Sequence, residues 1–94
     1  MGNYIVIKVD RHESRKTGSF TRWSFSGPAK MIYSTYEPGK THWVEYWEVE
    51  SGSIARRFRR SNRGNLYSQE FPVEKLRINE AEEMMLKELL EAEE

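Results

Sequence analysis

The segment Thr41 to Glu50, THWVEYWEVE, limits the fold more than any other stretch of the chain. Its alternation marks a β-strand, yet it carries apolar side chains on both sides: Trp43, Trp47 and Val49 on one, Val44 and Tyr46 on the other. A sheet with one solvated face alternates apolar with polar residues. This strand therefore needs cover on both faces, and the rest of the chain has to supply it.

One cover is legible at the C-terminal end, where the hydrophobic period changes from two to 3.6. The sequence NEAEEMMLKELLEAEE opens with Asn79 as a helix N-cap and Glu82 three residues on, the spacing of a capping box. Ala81, Met85, Leu89 and Ala92 then share a stripe that Leu86 and Leu90 widen. The pattern predicts an amphipathic helix over residues 79–93, packed on a sheet by that stripe. A single helix covers a single face. The aromatic face left over has three ways to be closed: the sheet curls on itself, a second copy of the chain makes a homodimer, or a different partner binds there.

The remaining strands follow from alternation and turn residues. Tyr4 to Val9 places Ile5, Ile7 and Val9 on one side, and the polar DRHESRKTG of Asp10 to Gly18 reads as a loop. Strands over Ser19–Ser26 and Ala29–Tyr36 are separated by Gly27-Pro28. Glu37-Pro38-Gly39-Lys40 has Pro and Gly in the central positions of a type II turn. Ser51-Gly52 leads into Ser53–Arg60, and the turn Asn62 to Asn65 into an extended piece, Leu66–Phe71, stopped by Pro72. Strands joined by short turns usually pair with their neighbours. The expectation is one α+β domain over residues 1–94, with an antiparallel meander of about five strands within 3–77 and one C-terminal helix.

Charge is unevenly placed. The net charge is zero, but residues 1–64 carry twelve Lys or Arg against six Asp or Glu, and residues 65–94 carry three against nine. The basic half peaks at IARRFRRSNRGNLY, where Arg56, Arg57, Arg59, Arg60 and Arg63 surround Phe58 and precede Tyr67. Guanidinium groups on both faces of one strand are costly to bury, which points to an edge strand or open strand ends. Arginines so spaced suit phosphates or carboxylates, and Phe58 or Tyr67 offers a ring to stack on. Local pairing with Glu45, Glu48 or Glu50 is the plainer alternative.

Catalytic patterns are lacking. His12 and His42 have no carboxylate or histidine at metal or triad spacing, and no serine sits in a nucleophile elbow. No catalytic residue, metal ligand or cofactor is assigned. The chain has no cysteine, and no apolar run of membrane-spanning length, so a cytoplasmic protein without membrane attachment is expected. The function expected is binding without catalysis. An adaptor, or an inhibitor of the kind mobile elements encode, would engage a protein or nucleoprotein through Arg56, Arg57, Phe58, Arg59, Arg60, Arg63, Tyr67, Trp43 and Trp47. The alternative is direct binding of single- or double-stranded nucleic acid by the Arg56–Arg63 cluster.

Overall fold

The computed structural model describes residues 2–92. Strand β1 (Tyr4–Glu13) lies at its centre because it serves three neighbours. On one side it pairs with β4 (His42–Glu50) from Tyr4 opposite Glu50 to His12 opposite His42. On the other it meets β2 (Phe20–Phe25) only at its far end, where His12 and Glu13 face Thr21 and Phe20. From there β2 leaves β1 and pairs along its length with β5 (Ile54–Arg60), which pairs with β6 (Leu66–Pro72). Strand β3 (Ala29–Ser34) flanks β4, with a register shift between Met31 and Tyr33. The sheet is antiparallel, in the order β3-β4-β1-β2-β5-β6.

The gap that β2 leaves beside β1 is filled by the chain that follows β6. A 3-10 turn over Val73–Leu76 carries Arg77 to a bridge with Ile7, and the Ile78 N–H donates to the Val6 carbonyl at 3.1 Å. The sheet thus curls back onto its own first strand. Ile5, Ile7, Val9, Val49, Ala55 and Val73 meet inside, flanked by Trp23, Phe25, Trp47 and Leu76. Trp47 packs on Phe25 at 5.1 Å between ring centroids, so β2 covers this side of the two-faced strand. Curling closes the Trp47 and Val49 face.

The α+β class and the C-terminal helix are as the sequence predicts, and three details differ. There are six strands, because the extended piece after Asn65 pairs fully with β5. Strand β1 runs through Asp10, Arg11 and His12, read above as loop, since these face Val44, Trp43 and His42. The order is not a simple meander: β2 and β3 are not neighbours, nor are β4 and β5. Gly27-Pro28 and Ser51-Gly52 are corners between the two halves of the curled sheet rather than hairpin turns. The EPGK turn forms as expected, with Gly39 at φ 91° and the Lys40 N–H donating to the Glu37 carbonyl at 3.0 Å.

Helix α1 (Glu80–Ala92) starts where its cap predicts, the Asn79 Oδ1 accepting the Glu82 N–H at 2.8 Å. Glu93, assigned to the helix by its pattern, lies outside the described residues. The Glu82 side chain does not complete the capping box. It accepts from the Tyr46 hydroxyl at 2.9 Å and pairs with Lys8 at 3.2 Å, fixing α1 to the outer side of β1 and β4. This contact sets the helix's rotation. Leu86 is buried at 4% exposure, and Glu82, Glu83 and Leu90 are part-covered, while Ala81, Met85 and Leu89 of the predicted stripe are exposed. The stripe is displaced by one residue, about 100° at 3.6 residues per turn. No helix among the described residues is long and apolar enough to cross a membrane.

Candidate partner-binding end

Strand register gathers the basic residues at one end of the molecule. The end of β1 meets the starts of β4 and β2, the start of β2 meets the end of β5, and Arg60 of β5 faces Leu66 at the start of β6. The β1–β2, β3–β4 and β5–β6 connections therefore emerge together. They carry Arg15, Lys16, Lys40 and Arg63, and Arg59 and Arg60 end the strand beside them. None of these six cations has a carboxylate within 4.0 Å among the described residues. Glu37, in the β3–β4 connection, and Glu13 lie at the same end, and Glu13 is taken by Arg22 at 2.6 Å. That pairing holds the Glu13 carboxyl below its ordinary range.

The arginine strand is internal, between β2 and β6, rather than an edge. Alternation makes this tolerable, because each side chain leaves the sheet on one face or the other and finds a ring or a polar partner. Arg56 pairs with Glu70 on β6, not with a β4 glutamate, since β4 is not beside it. Arg57 donates to the Gln69 side chain at 2.7 Å and lies 5.3 Å from the Phe71 ring centroid and 6.0 Å from that of Trp23. Arg59 lies 5.6 Å from the Tyr67 ring centroid. Phe58 is exposed and faces Arg22 and Ser68 across the sheet. A guanidinium supported on a ring face keeps its N–H edge for an oxyanion, with less side-chain freedom left to lose on binding.

The two tryptophans of β4 have separate roles. Both indole N–H groups donate to Glu45, Trp43 to Oε2 and Trp47 to Oε1, each at 3.0 Å. The Arg11 Nη1 donates to the same two oxygens at 3.1 and 3.3 Å, and its Nε to the Thr21 carbonyl at 3.2 Å. Glu45 is 6% exposed and fully occupied. Trp47 stays with the core. Trp43 is held at its N–H by Glu45, has Arg11 5.2 Å from its ring centroid, and meets Tyr36 edge-on at 4.7 Å. Tyr36, Trp43 and Glu45 form one wall of a groove of about 1040 Å³ between the β1–β2 and β3–β4 connections.

On the other side of the β1–β2 connection, a second hollow of about 320 Å³ lies among His12, Ser19, Arg59, Arg60, Asn62 and Tyr67. His12 uses Nδ1–H toward the Thr41 carbonyl at 2.9 Å, which leaves Nε2 to accept from the Ser19 hydroxyl at 2.7 Å. The arrangement has the form of a serine activated by an oriented histidine. Ser19, however, is only 5% exposed and also bonded to Thr17 at 2.7 Å, so the group ties down the connection. His42 stacks on His12 at 4.1 Å.

Of the residues singled out by sequence, Arg59, Arg60, Arg63 and Tyr67 gather at the basic end, and Trp43 lies in the groove beside it. Arg56, Arg57 and Phe58 are set further back along β5, and Trp47 is inside. Arg15, Lys16, Tyr36 and Lys40 are not among them, and Glu45 enters the sequence reading only as a pairing partner for the arginines. The sequence reading ends a strand at Tyr36 and puts Lys40 in the turn that follows, but only the pairing of β1 with β4 sets that connection across from Arg15 and Lys16. No protein-family model matches the chain, and no curated protein or solved structure does.

Proposed function

We propose that this chain is a binding domain without catalytic chemistry of its own, which engages an acidic macromolecular partner, a nucleoprotein or a protein, through its basic end. One observation carries the reading: Arg11, Arg22 and Arg56 each have a carboxylate, whereas Arg15, Lys16, Lys40, Arg59, Arg60 and Arg63 cluster at one end with none among the described residues. Like charges gathered without local compensation raise the local potential and steer an oppositely charged partner. Exposed Tyr67, and Arg59 above its ring, add a contact surface of the composition favoured at binding hot spots. An adaptor or an inhibitor acting by occupation would need no more than this, and the cytoplasm is the compartment we assign.

The test is affinity capture with immobilised protein and elution by a salt gradient, comparing the native chain with Arg59→Glu/Arg60→Glu. A partner released by salt and missing from the variant supports the reading. Identical elution profiles, with the variant's melting temperature unchanged, reject it.

A further inference from the structure

The groove between the β1–β2 and β3–β4 connections has the chemistry of a nucleotide subsite. Its carboxylates are already neutralised, Glu13 by Arg22 and Glu45 by Arg11. Its basic side chains, Arg15, Lys16 and Lys40, have no carboxylate partner among the described residues, although the Lys40 ammonium also donates to the Thr35 carbonyl at 3.2 Å. Three cations against one further carboxylate in these connections, Glu37, leave the charge count at the mouth positive. The wall is aromatic and fixed: Glu45 and Arg11 lock Trp43, and Tyr36 stands edge-on against it with 51% of its surface exposed.

A ligand complementary to this site carries a planar ring for Tyr36 and an anionic group for the lysines and arginine that line the same groove. An acidic peptide without aromatic side chains satisfies the cations and leaves the exposed ring unused. A lipophilic amine suits the rings but not the charge. We infer that the groove takes one unpaired base of a single-stranded nucleic acid, stacked on Tyr36, with its phosphate on Lys16, Lys40 and Arg15. The inference rests on the proposed reading of the basic end, and names its partner. A nucleic-acid strand that leaves the groove across the β1–β2 connection reaches the second hollow, lined by Arg59 and Arg60, where further phosphates meet cations. Bases have π-faces in common, which makes such a site tolerant of sequence.

The experiment titrates labelled ten-nucleotide RNA and DNA into the full chain by fluorescence anisotropy, with an acidic peptide of equal charge as a second probe. The Trp43 indole N–H is followed by NMR. Single strands should bind more tightly than duplex and should shift the Trp43 indole signal. Tyr36→Ala should weaken binding by about tenfold, within the range for loss of a base–aromatic stack. Tyr36 is half exposed in a connection, so the fold should survive, and Lys16→Glu/Lys40→Glu should weaken single-strand binding independently. Three results overturn the inference: binding of the peptide but of neither nucleic acid, single-strand binding unchanged in Tyr36→Ala, or no shift at Trp43. In each case the Arg59→Glu/Arg60→Glu variant tells the two proposals apart. Loss of peptide or strand binding there leaves the basic-end reading standing while the groove assignment falls.

Discussion

At the scale of single residues, Glu45 is the position where sequence and structure differ most in meaning. In the sequence it is one of three glutamates on β4, with Glu48 and Glu50, and reads as a partner for the arginine cluster. In the structure it is buried beneath two indoles and Arg11. Alternation puts Glu45 between Trp43 and Trp47 on one face of the strand, but the guanidinium that makes its burial tolerable comes from 34 residues away and is not legible locally. Glu45→Gln removes the nearer of Arg11's two carboxylates and leaves it only Glu13, at 3.8 Å. The expected cost is about 2–3 kcal/mol, below the roughly 3–5 kcal/mol of a fully buried pair because Arg11 is part-exposed. Urea unfolding should register it as a lower midpoint at unchanged slope. Arg11→Met/Glu45→Met should lose less than the sum of its two single variants, since contacting partners couple. An additive pair would show that the clamp is incidental.

At the scale of elements, the helix shows what periodicity can and cannot fix. Asn79 as cap and the start of α1 were readable from local chemistry. Its rotation was not, because Lys8 and Tyr46, which draw Glu82 inward, belong to other strands. The buried position is therefore Leu86 and not Leu89. Leu86→Ala should release the helix, costing about 2–3 kcal/mol, seen as loss of amide protection in residues 80–92 with the sheet preserved. Leu89→Asp, at a position 45% exposed, should change stability by no more than about 0.5 kcal/mol. Equal effects from the two would contradict the packing described here.

The helix contact also predicts a pH response. The hydrogen bond from Tyr46, and the pairing with Lys8, hold the Glu82 carboxyl below its ordinary value of 4.5. A carboxyl depressed in the folded state contributes stability that is fully present above its unfolded value and lost as pH falls through the folded one. Helix protection, corrected for intrinsic exchange, should therefore decline below about pH 4.5 relative to that of the sheet. Glu82→Gln should flatten that decline. The strand pairings were legible only where a turn is a true hairpin, as at EPGK. At Gly27-Pro28 and Ser51-Gly52 the same turn chemistry makes corners, and a short connection between strands does not distinguish the two.

At the scale of the whole molecule, the uneven charge of the sequence becomes uneven in space. The acidic helix is held to Lys8 and Tyr46 on β1 and β4, so its described polar contacts leave β5 and the three basic connections uncovered. The arginine cluster was visible in the sequence as Arg56 to Arg63, but its other half, Arg15, Lys16 and Lys40, comes from distant segments and needs the curled sheet to assemble. The central claim is that these cations face an acidic macromolecule. The direct measurement is the salt dependence of binding, by anisotropy, of a single-stranded oligonucleotide and an acidic peptide to the native chain and to Arg59→Glu/Arg60→Glu. The account predicts that at least one probe binds, that its affinity falls linearly in log salt, and that the variant binds more weakly. For the oligonucleotide the slope should be shallower by about 1.4, roughly 0.7 for each lost phosphate contact. Binding of neither probe at low salt, or a variant with unchanged affinity and slope, would contradict it.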